Sequence, residues 1–436
     1  MLFLNQTKKE TLMKKTLLLL MGLVMVLFAQ ASFATEGARP GRGQGTGNLK
    51  TQVLEQIKAL ANYSCSMLLD RKGESRCDYN ITLGKWSPYE PAWHTGQIIN
   101  ALVKAYRLTG DKKYLAYAKK AGDWWCSLQI KNNPQLKGLV MAVHGAYVGD
   151  YIIFSTISDG TPGLFRLYDV THEKKYAEVP TQAGDWLLKN MYIPDQGMFY
   201  DAINAKTGEI VKKRSPFWPG KKNQTLDDVA RPNNEGSIFL DMYRYTGNEK
   251  YKKVFLAICN SLVEKEGPQG LWMQFSPNNL ADSTFHPRFN LWYAESLLNG
   301  YGLIHDRKYL DAAKKTLLTY QKAQQKDGTI YYKNYLNGTF DNNSIAGSAV
   351  AFAGLLWIRM VKYGAGDEFK PNIEKSYRWI SRNHFTYHNP DKNLRGGGVV
   401  DLEMKNKHGK LSIIQRDLGT TFALRFLVDY YEYKFK

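Results

Sequence analysis

Cysteine is scarce in this 436-residue chain: there are four, none in a Cys-x-x-Cys pair, and no His-Glu-x-x-His run occurs either. A disulfide scaffold does not fit so few cysteines, and no metal or other cofactor is expected. With 15 Pro and 37 Gly, neither a collagen-like nor a linker-dominated chain is possible, and no Pro/Ser-rich stretch divides the body. Acidic residues are short as well: 40 Asp+Glu face 59 Lys+Arg, a formal charge of +19. Such an excess says nothing about the fold but points to an acidic partner, whether nucleic acid, anionic lipid or a polyanionic substrate. Long apolar runs are limited to one, Leu17 to Phe28, too short to span a bilayer.

What is present is a globular composition, 44% hydrophobic and 13% aromatic. The apolar run follows Met13-Lys14-Lys15 and precedes Ala29-Gln30-Ala31-Ser32-Phe33-Ala34, so residues 1–34 read as a secretory signal peptide, with Met13 a second possible start. These residues carry four lysines and one glutamate, so their removal takes the charge from +19 to +16. Residues 35–48 read as a flexible leader and 49–436 as one domain. The expected product is a soluble, monomeric, periplasmic or extracellular protein with no nucleic-acid partner and no membrane contact once the signal is removed. An anionic polysaccharide is then the natural partner. Cys65 and Cys77 flank a glycine-containing loop, and whether export oxidises them stays open.

The body repeats. Tyr106-Arg107-Leu108-Thr109-Gly110-Asp111-Lys112-Lys113-Tyr114 has counterparts at Tyr168–Tyr176, Tyr245–Tyr251 and His305–Tyr309. Each closes one apolar-periodic helix and opens another, and Ala-Gly-Asp-Trp recurs at 121–124 and 183–186. Self-similarity at roughly 55–75 residues indicates a repeated αα-hairpin, too long for a tandem solenoid unit. The fold class is therefore all-α: a closed α/α toroid with apolar inner helices and short β segments at the hairpin ends. Five hairpins, plus helices from Leu49 and Leu418 that pair to close the ring, make six units. A seventh is conceivable between Leu136 and Gly160.

In such a ring the inner helices start on one face, and residues at those starts converge. Helix N-termini there favour anions, and Arg231, Arg288 and Arg416 add charge. Asn233, Asn234 and Glu235 precede one start, His286, Asn290 and Tyr293 cluster with Arg288 at another, and Trp93, His94 and Gln97 open a third. Any single Asn or Asp is a helix cap first, but the set is a heavier polar load than capping needs.

Arg231-Pro232-Asn233-Asn234-Glu235-Gly236, His286-Pro287-Arg288-Phe289-Asn290-Leu291-Trp292-Tyr293 and Asn343-Ser344-Ile345-Ala346-Gly347-Ser348-Ala349 resemble motifs of polysaccharide lyase family 38. The repeating turns resemble the wider six-hairpin glycosidase group of α/α toroids. The resemblance implies β-elimination on a uronate polymer, mannuronate-rich alginate or glucuronan, within a seven-hairpin toroid. Such chemistry needs a neutralised C5 carboxylate, a base for the C5 proton and an acid for O4. In that scheme Tyr293 is the candidate acid/base, with Tyr243, Tyr301 or His286 as alternatives. Arg288, Asn234, His286 and Glu235 hold the carboxylate, and Glu235 needs a raised pKa to do so. Arg231, Asn233, Asn290, Trp93, His94, Gln97 and Arg416 complete the substrate contacts. Three other readings remain: a glycoside or unsaturated-uronyl hydrolase using Asp159, Asp341 or Asp417, a uronate C5-epimerase, and a non-catalytic glycan-binding protein.

Overall fold

The computed structural model describes residues 46–436 apart from 146–147, 385–387 and 408–409. The expected signal peptide and nearly all of the leader lie outside the described residues. Helix α1 (Thr46–Tyr63) begins three residues before the expected start of the domain. The helices α2 (Pro91–Thr109) and α3 (Lys112–Ser127) form the first hairpin. After the single-turn α4 (Phe154–Ser158) come α5 (Thr161–Thr171) and α6 (Lys175–Met191), then α7 (Ile238–Thr246) and α8 (Glu249–Glu264). The pairs α9 (Phe289–Ile304) with α10 (Arg307–Ala323) and α11 (Gly347–Lys362) with α12 (Lys370–Arg382) follow, and α13 (Asp417–Phe435) ends the chain.

Helices α2, α5, α7, α9, α11 and α13 are the inner layer, each packed on the next except that α9 meets α7 through the Glu235–Ser237 turn before α7, and α13 returns to α2 and to α1. The ring thus closes with six hairpins, the sixth built from the two chain ends. Among the described residues no seventh hairpin forms between Leu136 and Gly160: that stretch makes β3 (Val143–His144), β4 (Val148–Ile153) and α4. Inner helices are buried nearly all round, as on α11, where every residue from Gly347 to Ile358 is buried. Among the described residues no helix is long and apolar enough to cross a membrane.

The repeated turn phrase has a physical basis. Gly110, His172, Gly247 and His305 adopt left-handed backbone after an inner helix, and each N–H donates to the carbonyl of Tyr106, Tyr168, Tyr243 or Tyr301. Asp111, Asn248 and Asp306 then cap the outer helices by accepting from the backbone two residues on. The tyrosine that ends the phrase reaches back to the preceding outer helix. Tyr176 donates to Asp123 at 2.7 Å and Tyr251 to Asp185 at 2.8 Å, the aspartates of the two Ala-Gly-Asp-Trp repeats. The repeat therefore encodes the lateral bond between neighbouring hairpins.

Short strands lie at the end of the ring where inner helices begin. A seven-stranded antiparallel sheet runs β2-β1-β13-β12-β11-β10-β9, formed by β1 (Asp78–Asn80), β2 (Lys85–Ser87), β9 (Thr284–Phe285), β10 (Tyr331–Tyr335), β11 (Phe340–Ala346), β12 (Asp401–Lys407) and β13 (Lys410–Arg416). Two three-stranded sheets join β5 (Tyr192–Ile193), β6 (Met198–Tyr200) and β8 (Ala230–Arg231), and β3, β4 and β7 (Ala202–Asn204). Strands β11 and β13 run directly into α11 and α13, so their last residues are delivered to the inner helix starts. Cys65 and Cys77 are both buried free thiols, and Cys126 is half-buried.

Candidate active site

A cavity of about 240 Å³ opens among the inner helix starts. Its aromatic wall holds Trp93 on α2 and Trp292 on α9, edge to face with ring centres 5.5 Å apart. The polar wall comes from strand ends and pre-helix turns: Arg231 ends β8, Arg416 ends β13, Arg288 precedes α9, Glu235 and Asp159 precede α7 and α5. Backbones approach closely here. Gly236 has φ +72, and a Cβ added there would fall 2.2 Å from the Ser158 carbonyl oxygen and 3.1 Å from the Asp159 Cα. Glycine at 236 is what seats Glu235 and Asp159 side by side.

His286 and Tyr332, on β10, face each other with Nε2 3.3 Å from the phenol oxygen. The backbone N–H groups of Arg288 and Phe289 both donate to His286 Nδ1, at 3.2 and 3.1 Å. That nitrogen therefore carries no proton. Burial, reinforced by Arg288 and Arg416, pushes the imidazole pKa well below its usual value, so the ring is neutral. A neutral ring with Nδ1 accepting has its hydrogen on Nε2, directed at Tyr332. The Tyr332 oxygen also accepts from Arg288 Nη2 at 3.4 Å, and the guanidinium lies 5.4 Å from the ring centre. With two donors facing its oxygen, the phenol's own hydrogen is free to point at a ligand.

The three arginines are held by buried carboxylates. Arg288 donates to Ser348 at 2.8 Å and Asp401 at 3.4 Å, leaving its Nε without a partner. Arg416 pairs with Glu403 at 2.9 Å and Asp78 at 3.6 Å and lies over the Tyr89 ring at 4.8 Å. Arg231 is saturated: Asn233, the Ser276 carbonyl and Ser155 each accept from it, with Asp201 and Glu235 at 3.4 and 3.5 Å. Burial raises Glu235 to about 7 against the pull of Arg231. Asp159 is pushed well above the carboxylate range by burial, then by Glu235 and Glu295. Neither Glu235 oxygen nor Asp159 Oδ1 has a side-chain hydrogen-bond partner, and the Glu235 carboxyl is met only by the Arg231 ion pair at 3.5 Å.

A second acid–base group lines the cavity. Glu90, the residue before α2, pairs with His144 on β3 and has the unusual φ of 156°. His144 is pushed down to about 3 by burial, then by Arg231 and Arg416, and so stays neutral. Tyr89 stands beside it, ring centres 5.8 Å apart, with its phenol raised to about 12 by burial.

The structure brings His286, Arg288, Glu235, Arg231, Trp93 and Arg416 onto one cavity wall. Asp159 lines it too, whereas Tyr243 and Tyr301 stand half-buried at the far ends of α7 and α9, Asp341 is half-buried on β11, and the remaining named residues lie behind the wall. Tyr293 is fully buried, edge-on to Trp272, and its hydroxyl has no partner. Asn234 donates to Cys259 Sγ, Asn233 accepts from Arg231, and Asn290 ties the Trp272 backbone to Asn278. His94 is buried against Asp417 at 2.5 Å, and Gln97 links the Asp159 carbonyl to Arg425. Tyr332, Tyr89, Glu90, His144 and Glu403 line the cavity without having been singled out. Strand alternation in Ile330-Tyr331-Tyr332-Lys333 is the signal that separates Tyr332 from Tyr331. His144 and Glu403 lie on hairpins whose pairing no local pattern specifies. Among the described residues no group of three His, Cys, Asp or Glu is placed to hold a metal ion.

Comparison with known proteins fits this architecture. The family described as D-glucuronyl C5-epimerase C-terminus matches residues 70–133, the segment carrying Tyr89, Glu90 and Trp93. No curated protein sequence matches the chain. Cellobiose 2-epimerase from Bacillus thermoamylovorans B4167 superposes with a TM-score of 0.66 at 14% identity, over 89% of this chain and 100% of that one. Unsaturated glucuronyl hydrolase from Bacillus sp. GL1 gives 0.61 at 13% identity, over 87% and 96%. The GH76A α-1,6-mannanase from Salegentibacter sp. HEL1_6 gives 0.55 at 12%, over 87% and 99%. The chain thus shares the closed α/α toroid of a group of carbohydrate-active enzymes.

Proposed function

We propose that the protein acts on a uronate-containing polysaccharide by removing the C5 proton of a uronyl residue. The outcome is β-elimination, with mannuronate-rich alginate or glucuronan as the expected polymer. The observation that carries this reading is the Tyr332 oxygen, met by a neutral His286 and by Arg288, beside Arg416 and a carboxyl that keeps its proton to about pH 7. Tyr332, once its own phenol proton has passed to solvent, takes the C5 proton, and the C–H electron pair moves into C5–C6 to give an enediolate. Arg288, Arg416 and the Glu235 acid hold its charge. The C4–O4 bond then breaks, its electrons leaving with O4, which takes the proton back from Tyr332. One fragment gains a C4–C5 double bond and the other a hydroxyl.

A second reading shares the first step: the proton returns to C5 on the opposite face, inverting the sugar. The match to the D-glucuronyl C5-epimerase family supports it, and Tyr89 with the Glu90–His144 pair would be the second acid–base group. A secretory leader over residues 1–34 would put either enzyme where such polymers occur.

The test is a continuous ultraviolet assay on mannuronate- and guluronate-rich alginate, glucuronan and heparan, run in parallel in deuterium oxide. Rising absorbance from a conjugated double bond supports elimination and identifies the polymer. Deuterium entering C5 without chain cleavage supports inversion. New reducing ends with neither signal would overturn C5 chemistry and leave hydrolysis.

A further inference from the structure

The loop between β7 and β8 carries a basic strip that the cavity chemistry does not use. Lys212, Lys213 and Arg214 are consecutive and exposed. None of the three makes an ion pair among the described residues; Lys212 lies over the Tyr200 ring at 5.5 Å. In the same loop Lys206 pairs with Asp150 at 3.1 Å and Lys221 with Asp228 at 2.8 Å, whereas no three other like charges stand in a row. Three unpaired like charges in a row repel one another, a cost that a polyanionic ligand would relieve.

The strip is held at the cavity by its own loop. Ser215 is buried and its backbone N–H donates to the Gln224 side-chain oxygen, while the Gln224 amide nitrogen donates to the Trp218 carbonyl, so 215–224 is a closed, self-packed turn. The Phe217 ring stands edge-on to His144, ring centres 5.2 Å apart, and His144 lines the cavity. The loop then ends at Arg231, itself on the wall. Arg214 is three residues from Phe217, at most about 10 Å of extended backbone. Phe217 itself backs His144, so the strip lies within reach of sugar units beyond the one in the cavity.

We infer that Lys212, Lys213 and Arg214 form an outer subsite that binds acidic sugar residues flanking the uronyl unit in the cavity. Selection for a polymer over a short oligosaccharide follows, since only a longer chain spans both places. The inference rests on the uronate reading of the cavity.

Wild type and K213A/R214A are run on immobilised polyglucuronate in a salt gradient, with immobilised neutral dextran as control, and the same proteins are assayed on polymer and trisaccharide. Both side chains are exposed, so an unchanged Tm shows that the variant is folded. Wild type should be retained on the polyanion and not on dextran, and the variant should elute at clearly lower salt. KM on the polymer should rise about tenfold, and more than on the trisaccharide. Identical elution of a retained, active wild type and the variant overturns the outer subsite alone. A wild type that neither binds nor turns over any uronate polymer overturns the cavity reading with it.

Discussion

His286 Nε2 stands 3.3 Å from the Tyr332 hydroxyl while both backbone N–H donors at its other nitrogen fix which tautomer the ring adopts. The pairing joins the turn before α9 to the middle of β10, 46 positions apart. It makes Tyr332 the oxygen best equipped to exchange a proton with a ligand. Tyr332→Phe should lower turnover by about 10³-fold with substrate affinity within a factor of a few. His286→Ala, which removes a donor to Tyr332 but not the phenol, should cost about 10²-fold. Steady-state kinetics with equilibrium binding checks both, and a Tyr332→Phe enzyme at wild-type rate would sink the assignment.

Glu235 supplies a pH signature. Its pKa is raised to about 7 by burial, so the folded protein holds this proton where an unfolded carboxyl has lost it. If the acid form binds the substrate carboxylate, kcat falls as pH rises through about 7, and Glu235→Gln, which keeps an N–H donor, flattens that limb. Stability carries the same sign. Between the ordinary carboxylate value and about 7 the native state binds the extra proton, so this group's contribution to stability declines as pH rises. Glu235→Gln should therefore be more stable than wild type at pH 8, by about 1–3 kcal/mol, and indistinguishable at pH 4. Equal denaturation midpoints at pH 8 would count against a buried, protonated Glu235.

The toroid was legible because hairpin repeats write local signals: left-handed C-caps at Gly110 and Gly247, N-caps at Asp111 and Asp306, and a returning tyrosine. These recur in sequence because the same bonds recur in space. Arg288 and Arg416 were legible because each stands immediately before an inner helix, and Arg231 because it opens the polar stretch that leads into α7. Tyr332, His144 and Glu403 were not, because they reach the cavity on short hairpin strands whose register no local pattern sets: Leu402 of β12 pairs with Gln415, and Val143 of β3 with Ile152. Helical proximity also misleads: Tyr293 is about one turn beyond Arg288, yet the α9 surface turns its ring toward Trp272 and away from the cavity.

Gly236 tests how tightly two inner helix starts are pressed together. Gly236→Ala sets a methyl carbon 2.2 Å from the Ser158 carbonyl oxygen at φ +72, where an L side chain is already strained. Gly247 has nearly the same φ, +71, but nothing within 4 Å of the added carbon. Gly247→Ala should therefore cost about 1 kcal/mol from backbone conformation alone. Gly236→Ala should cost about 3 kcal/mol or more, because the backbone of the Asp159 turn must also move. Chemical denaturation of both variants separates the two terms, and equal losses would show that the helix starts yield without resistance.

Tyr293 is the sharpest test of where the chemistry lies. Its hydroxyl is buried with no hydrogen-bond partner, and burial, then Glu235, pushes its pKa well above that of an ordinary phenol. A phenol so placed cannot reach a sugar in the cavity and resists giving up its proton. An unsatisfied buried hydroxyl is itself a cost, so Tyr293→Phe removes a desolvated polar atom without opening a cavity. The variant should keep turnover within about threefold and gain about 1 kcal/mol of stability. Loss of turnover beyond about 10²-fold, with folding intact, would return the proton transfer to Tyr293 and remove it from Tyr332.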